Sequence, residues 1–187
     1  MSTTFVTEPL TYQYGSLFEP RNSKMNQNKV QFFARLLASA AVVETPEWQA
    51  FLRAIQDEGE SYFGKAEYHN GLQANKIRPT VRYDVNGTMP PGTKAFINVM
   101  NWPENKPNIY YRNKSLVTDP TEIYPGVLLR ALLRIAGYGR GTPYTPGVRL
   151  QIEHAQKIAD GPRLATARSD GSELGILPDD SDESIFN

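Results

Sequence analysis

Apolar and polar residues alternate along several short segments of the chain, and this period of two is the pattern of half-buried β-strands. The clearest example is the segment 94–100, whose inner face is predicted to carry Ala95, Ile97 and Val99. Further strands are predicted at residues 10–18, 29–38, 78–85, 108–114, 127–138 and 149–158. Short strands separated by turns that are rich in glycine and proline are typical of all-β folds.

Two of these strands need a further argument. Periodicity alone does not separate helix from strand in the segment 127–138, but Pro125-Gly126 before it and glycines after it favour a strand. Strict alternation in the segment 149–158 predicts one face made of Leu150, Ile152, His154 and Gln156.

One segment has the 3.6-residue period of an amphipathic helix. Thr45 suits the N-cap and Pro46 suits the first helical position. The apolar stripe of this helix is formed by Trp48, Phe51, Leu52 and Ile55. We expect the helix to end at about Gly59 or Phe63 and its stripe to pack in the core.

The remaining segments lack a clear period. Residues 1–9 are predicted to be a loose arm, residues 21–28 a polar loop after Pro20, and residues 64–77 an irregular connection. Six or seven short strands with one main helix predict an all-β, β-rich fold built as a small closed barrel.

Composition limits what the chain can be. Its 187 residues suit one domain, predicted at residues 1–169, followed by a tail at 170–187. The absence of cysteine excludes disulfides and thiolate metal sites. No run of 18 apolar residues and no signal peptide is visible, so we expect a soluble cytoplasmic protein without membrane contact.

Charge is segregated along the chain. All 20 basic residues lie in residues 1–169, whereas six of the 20 acidic residues lie from Asp170 onward. The first 169 residues therefore carry +6 and the tail −6. A segment this polar is predicted to be disordered, and it can compete with a polyanion for a basic groove. Partner contacts are predicted for Asp179, Asp180, Asp182, Glu183, Ile185 and Phe186.

Catalytic motifs are weak. The glycine-rich run 137–141 is followed by Pro143 and Pro146, so the helix that a phosphate-binding loop requires cannot start there. Glu153 and Lys157 lack the second carboxylate that a metal-dependent nuclease needs, and the two histidines lack a triad partner. We expect no enzyme activity, no catalytic residues, no cofactor and no metal.

Basic and aromatic residues are interleaved, as single-stranded nucleic acid requires, because phosphates need cations and exposed bases need flat rings. The predicted nucleic-acid-binding set is Tyr12, Tyr14, Arg21, Lys24, Lys29, Arg78, Arg82, Tyr83, Lys94, Phe96, Trp102, Lys106, Tyr110, Tyr111, Arg112 and Lys114. Phe96 stands out because it falls on the polar face of its strand, where we expect an exposed stacking platform.

Three stretches resemble the signatures of a family of tailed-phage proteins with an OB-fold that bind single-stranded DNA. They are Tyr14-Gly15-Ser16-Leu17-Phe18-Glu19-Pro20, Tyr124-Pro125-Gly126 followed by Arg130, and Gln156-Lys157-Ile158-Ala159-Asp160-Gly161 with Leu164. The tail is similar to the acidic, aromatic-ended tails of replication-type single-stranded DNA-binding proteins. The predicted helix follows the second strand, whereas the usual OB-fold places its helix between strands three and four.

The resemblance implies an OB-fold, binding of single-stranded DNA without sequence specificity, and a role in phage DNA replication, recombination or repair in the host cytoplasm. It also implies phage or host replication and recombination proteins as partners of the tail, and no cofactor. The sequence leaves open a homo-oligomer, a phage structural or protein-interaction module, and a metal-dependent nuclease.

Overall fold

In a computed structural model of the chain, the structure describes residues 3–23 and 26–164. The strands are β1 (Thr3–Val6), β2 (Leu10–Ser23), β3 (Asn26–Ser39), β4 (Val81–Tyr83), β5 (Thr93–Asn101), β6 (Asn108–Tyr110), β7 (Leu128–Tyr138) and β8 (Gly147–Ala159). The helices are α1 (Ala40–Val43), α2 (Pro46–Phe63) and α3 (Lys65–Gln73), with a 3-10 turn at Pro120–Glu122. The predicted tail, the domain boundary at 169 and Lys24 lie outside the described residues.

Five strands close into a barrel. Their backbone hydrogen bonds join them in the order β2, β3, β5, β8 and β7, and β7 closes the barrel by pairing with β2. All these pairs are antiparallel except β5 with β8, which run parallel and meet at one bridge, Val99 to Leu150. This is the strand order of an OB-fold, so the predicted β-rich closed barrel is confirmed. The main helix follows the second barrel strand, as the sequence predicted.

The barrel interior is filled by the inward residues of the alternating strands. Leu36, Ile97, Leu133 and Ile152 are at most 1% exposed. Ala95, Ile97 and Val99 of β5 are all buried, which confirms the predicted inner face of that strand.

Helix α2 begins as the sequence predicted. The Thr45 side chain accepts a hydrogen bond from the Trp48 amide at 3.1 Å, and Pro46 occupies the first turn. Trp48, Phe51 and Ile55 are buried, and Leu52 packs against the core from a half-buried position. The helix contacts β7 and closes one side of the barrel.

The N-terminal arm is not loose. Residues Thr3–Val6 form β1, which pairs antiparallel with β7 so that Phe5 lies opposite Leu133. Thr7 is buried, and its hydroxyl accepts a hydrogen bond from the Ala131 amide at 3.1 Å. The prediction of a loose arm is therefore wrong, because pairing with a strand more than 120 residues away leaves no local period.

The predicted loop 21–28 is also wrong, because β2 and β3 extend through most of it as a long hairpin. Pro20 does not end β2. It lies in a stretch between Ser16 and Arg21 where the regular pairing with β3 is interrupted. A proline is tolerated there, because the missing backbone N–H is not required for a hydrogen bond between the strands.

A third helix replaces the predicted irregular connection at 64–77. Helix α3 follows Gly64, which adopts a φ of 91° and makes no side-chain cap bond. Tyr68 stacks on Phe63 with ring centres 6.1 Å apart, and Gly59 has no side chain that would collide with the Tyr68 ring. This helix is held by packing more than by its own apolar period, so the sequence pattern did not reveal it.

The alternation in β8 changes phase in the middle of the strand. Leu132 of β7 lies opposite His154 and Leu133 lies opposite Ile152, so Glu153 is an extra residue in the ladder. After Ile152 the next inward residue is therefore Ala155, not His154. The prediction that His154 and Gln156 share a face with Leu150 and Ile152 is wrong. Strands β4 and β6, at three residues each, are shorter than predicted.

The end of the described chain is fastened to the barrel. The Lys157 ammonium lies 2.6 Å from Glu122 and 2.8 Å from Asp160, and the Tyr124 hydroxyl donates to Asp160. The hydrogen bond and charge of Lys157 hold the pKa of Asp160 below its usual range. The Leu164 amide then donates to the Pro125 carbonyl at 2.9 Å, which fixes where the chain leaves the barrel.

Candidate nucleic-acid interface

A groove of about 430 Å³ crosses the outer faces of β2, β3 and β5 and is bordered by the segment 78–80 and by β8. We call it the arginine groove, because four arginines and three aromatic residues line it. They are Arg35, Arg78, Arg82 and Arg149 with Tyr14, Phe33 and Tyr138. None of the described residues that line the groove is acidic, so its local charge is strongly positive.

The strand register sets the centre of the groove. On β3, Phe32, Ala34 and Leu36 point into the barrel, so Phe33 and Arg35 lie on the outer face. Arg35 is opposite Tyr14 on β2 and opposite Asn98 on β5. Three neighbouring strands therefore place an aromatic ring, a guanidinium and an amide in one row.

Arg35 is held in place by this row. Its guanidinium carbon lies 5.0 Å from the centre of the Tyr14 ring and 4.6 Å from that of Phe96. Its Nε donates a hydrogen bond to the Asn98 Oδ1 at 2.9 Å. Within the described part of the chain no carboxylate forms an ion pair with Arg35. The cation is therefore positioned by rings and an amide, and its charge remains available to an anion.

The wall of the groove comes from the segment before β4. The Arg78 amide donates to the Pro146 carbonyl at 2.8 Å, and the Thr80 hydroxyl donates to the Val148 carbonyl at 2.7 Å. These bonds hold the segment 78–80 alongside the start of β8. Arg149 lies on β8 at this point, and its buried Nε has no hydrogen-bond partner among residues 3–23 and 26–164.

The structure brings Tyr14, Arg78 and Arg82 of the predicted set into the arginine groove. Phe96 lies beside the groove but is only 8% exposed, because the Arg35 guanidinium covers its ring. The expectation of an exposed platform at Phe96 is wrong, and a contact of this ring with nucleic acid stays a prediction.

Tyr12 is not a surface residue. It shares the inward face of β2 with Leu10 and is 6% exposed, and burial raises its pKa to about 12. The ring is therefore part of the core rather than an exposed platform, and its contact with nucleic acid stays a prediction.

Other predicted residues do not line the groove. Lys29 and Trp102 come together beyond one end, with the Lys29 ammonium 5.5 Å from the centre of the indole. Exposed positions on the surrounding strands and loops are occupied by Arg21, Tyr83, Lys94, Lys106 and Arg112. Lys24 lies outside the described residues.

The rest of the predicted set lies on a separate surface. Tyr110 and Lys114 border a depression of about 520 Å³ on the outer face of β6, β8 and β7, together with Arg130, Leu132 and His154. We call these five residues the Tyr110 patch. Tyr111 packs against the core from a half-buried position. The set that looked continuous in sequence is therefore divided between two faces of the barrel.

Sequence reasoning missed Phe33, Arg35, Tyr138 and Arg149. The sequence did contain a signal for the first two. Alternation in β3 puts residues 33 and 35 on the face of the strand that points away from the core, because Ala34 and Leu36 are buried. Arg149 and Tyr138 come into the groove only through the register of the β7–β8 hairpin, in which Tyr138 is opposite Gly147. A single sequence does not specify that register.

Two classes of feature are absent from the described part of the chain. Residues 3–23 and 26–164 contain no group of three or more His, Asp or Glu that could hold a metal ion. Over the same residues, no helix combines the length and the apolar character needed to cross a bilayer.

A closed barrel of this strand order, with a cationic and aromatic groove across its first three strands, β2, β3 and β5, defines an OB-fold domain. The sequence matches the family described as Enterobacter phage Enc34, ssDNA-binding protein, over residues 3–185, and the chain belongs to this family. The predicted family resemblance is thereby confirmed. No protein with a curated description matches the sequence significantly.

Solved structures share the fold. The single-stranded DNA-binding protein from bacteriophage Enc34 in complex with ssDNA has a TM-score of 0.69 at 13% identity, with 87% of this chain and 89% of that chain covered. The single-stranded DNA-binding protein gp2.5 encoded by bacteriophage T7 has a TM-score of 0.63 at 14% identity, with 95% and 100% covered. At these identities the likeness is one of fold.

Proposed function

We propose that this protein binds single-stranded DNA in the arginine groove, without sequence specificity and without a catalytic step. The observation that carries the proposal is the groove itself, in which four arginines and three aromatic rings converge with no acidic residue among the described lining. Family membership supports it, and so does a related fold that was solved with ssDNA bound.

The chemistry of the groove suits an unpaired strand. The guanidinium groups of Arg35, Arg78 and Arg82 offer planar donors for phosphate oxygens. The Tyr14 ring, which is 43% exposed, offers a face on which a base can stack. Stacking accepts any base, because every base has a π face, so the groove is expected to select unpaired strands rather than particular sequences.

The fixed position of Arg35 contributes to binding by pre-organisation. Its contacts with Tyr14, Phe96 and Asn98 are already formed without DNA, so little side-chain entropy remains to be lost on binding. Phosphate binding to an ordered arginine is therefore stronger than binding to a mobile surface lysine.

The biological role follows as part of the same proposal. A protein that coats unpaired DNA in the host cytoplasm protects and organises the strands that arise during phage DNA replication, recombination or repair. The acidic tail at 170–187 competes with DNA for the basic body and recruits partner proteins, through the acidic and apolar residues named above.

Equilibrium binding to fluorescent oligo-dT, followed by anisotropy, tests the proposal. Affinity should fall with salt, with a slope of about 0.7 in log K per log salt for each phosphate neutralised. Arg35→Gln combined with Arg82→Gln should lower both the affinity and the slope, and duplex DNA of equal length should bind more weakly. The matched control is Arg53→Gln combined with Lys65→Gln, which removes two positive charges from exposed positions on α2 and α3.

Two outcomes contradict the proposal. The first is wild-type protein that ignores oligo-dT at low ionic strength. The second is a groove variant that binds as tightly as the Arg53→Gln, Lys65→Gln control while circular dichroism shows both proteins folded.

A further inference from the structure

The Tyr110 patch combines cations, rings and apolar surface on the face of the barrel formed by β6, β8 and β7. The Tyr110 and His154 rings meet edge to face with centres 5.7 Å apart. Leu132, opposite His154 in the ladder, adds a half-buried apolar surface beside them. The patch therefore offers a largely apolar depression lined by two aromatic rings.

Two cations border this surface and both are positioned by the backbone. The Arg130 Nε donates to the Thr7 carbonyl at 3.3 Å, which ties the side chain to the segment after β1. Lys114 stands at the end of a tight turn with a φ of 64°, and its amide donates to the Tyr111 carbonyl. The Gln156 side-chain Nε2 also donates to this carbonyl, at 3.3 Å, and so fixes the turn.

The electrostatics of the patch favour an anion. None of the described residues that line the depression is acidic. Over residues 3–23 and 26–164, no carboxylate forms an ion pair with Lys114 or Arg130. By contrast, Arg134 on the same face of β7 is paired with Glu153. The two cations that border the rings are thus left for a ligand.

The chain that links the patch to the arginine groove carries further cations. Met100 at the end of β5 lines the groove, and Trp102 beyond it holds Lys29 over its ring. The segment then continues past the exposed Glu104 and Lys106 to β6 and through the exposed Arg112 to the patch. Together with Lys29, this route carries three cations against one carboxylate, so its net charge is positive.

We propose that the Tyr110 patch is a second contact for single-stranded DNA, in which a base lies against Tyr110, Leu132 and His154 and a phosphate binds Arg130 and Lys114. This inference rests on the proposed function, because it takes the strand in the arginine groove as its starting point. The second contact would extend the path of the DNA from the arginine groove to the face of the barrel that carries the Tyr110 patch. An acidic protein segment is the other ligand that cations on an apolar surface can take, and the test separates the two.

The two histidines of the chain provide the readout. His154 lies in the patch, whereas His69 lies on α3 with its Nε2 2.7 Å from the Glu60 Oε1. Oligo-dT of about 6 nucleotides lies near the lower end of the site sizes of one OB-fold, and oligo-dT of about 20 nucleotides exceeds the upper end. In NMR titrations of the full chain, the longer oligonucleotide should shift the ring resonances of His154 and leave those of His69 unchanged. The shorter one should occupy the groove and shift His154 little.

Variants give the matching affinity test. Lys114→Gln combined with Arg130→Gln should weaken binding of the longer oligonucleotide about five- to tenfold and that of the shorter one less than twofold. The Arg53→Gln, Lys65→Gln variant again controls for the loss of two charges, and Tyr110→Ala should reproduce the effect without a change of charge. Groove variants, in contrast, should weaken both lengths.

The outcomes separate the two proposals. If the longer oligonucleotide binds but leaves His154 unmoved, or if the patch variants bind it like wild type, the second contact is overturned and the groove is not. If those variants lose only the binding of an acidic test peptide, the patch is a protein-docking surface and the inference also fails. If neither length binds wild-type protein, the proposed function itself fails.

Discussion

Arg35 covers Phe96, with its guanidinium carbon 4.6 Å from the centre of the ring. The two residues are 61 positions apart in sequence and meet because β3 and β5 are neighbours, with Leu37 opposite Phe96. The ring thereby loses solvent contact although it lies on the outer face of its strand. The arginine, in turn, gains a fixed position in the groove.

Replacement of Arg35 by lysine should separate charge from shape. Lysine keeps the positive charge but loses the planar stack on Tyr14 and Phe96 and the directed bond to Asn98. We expect affinity for oligo-dT to fall about five- to tenfold, or roughly 1 kcal/mol, with little change in the salt slope. Anisotropy titrations at several salt concentrations measure both quantities. A lysine variant that binds like wild type would show that only the charge matters.

Removal of residues 170–187 should tighten binding of oligo-dT, because the tail carries six of the acidic residues and no basic ones. The gain should be largest at low salt, where charge is least screened, and should shrink at high salt. A tail of equal length with its six acidic residues changed to Asn and Gln is the matched control. It should behave like the deletion if charge is the cause. Unchanged or weaker affinity in both variants would refute competition by the tail.

Tyr12→Phe should alter alkaline stability and leave DNA binding within about twofold of wild type, since the ring is buried away from the groove. Burial raises the pKa of Tyr12 to about 12, above its unfolded value of 10.0. Between these values the unfolded chain loses this proton while the folded chain keeps it. The free energy of unfolding therefore falls as pH rises, by about 1.4 kcal/mol per pH unit.

The phenylalanine variant has no proton to lose at this position. Urea unfolding from pH 8 to pH 11 should consequently show a shallower alkaline decline than in wild type, with little difference at pH 8. Identical pH profiles for the two proteins would contradict the assigned burial of the hydroxyl.

Gly126→Ala should destabilise the protein by about 2–4 kcal/mol. Gly126 has a φ of 115°, and an added Cβ would collide with the Pro162 carbonyl, where the chain end is fastened to the barrel. Gly87→Ala is the control, because its φ of 65° is also positive but lies in the left-handed region that alanine can adopt, and no atom lies within 4 Å of the added carbon. The control should lose only about 1 kcal/mol. Equal losses in urea denaturation would mean that the close approach to Pro162 does not contribute.

The barrel was predictable because its strands show their inward faces locally. The alternation of β5 and the capped stripe of α2 both follow from neighbouring residues, and burial bears them out. The local pattern does not predict the exposure of a side chain when a residue distant in sequence covers it. The alternation of β5 correctly puts Phe96 outside, but only the register with β3 shows that Arg35 covers it.

The site was half predictable for the same reason. Tyr14, Arg78 and Arg82 could be named from residue type, but residue type did not distinguish Tyr14 from the buried Tyr12 two positions earlier. A bulge decides between them, because Tyr12 is opposite Leu36 and Tyr14 is opposite Arg35, so the extra residue Gln13 puts Tyr14 on the outer face. In β8 the extra residue at Glu153 reverses the phase, and a single sequence gives no sign of such a bulge.

Strand β1 has a practical consequence for how the protein is produced. It occupies the hydrogen-bonding edge of β7 beyond the point where β2 ends its pairing, so residues 132–135 of β7 depend on it for their outer partners. A recombinant version trimmed by its first seven residues would leave this edge bare and remove the acceptor that Thr7 offers to Ala131. Bare edges recruit other chains. Such a preparation should self-associate, and any multimer seen with it would be a product of the trimming.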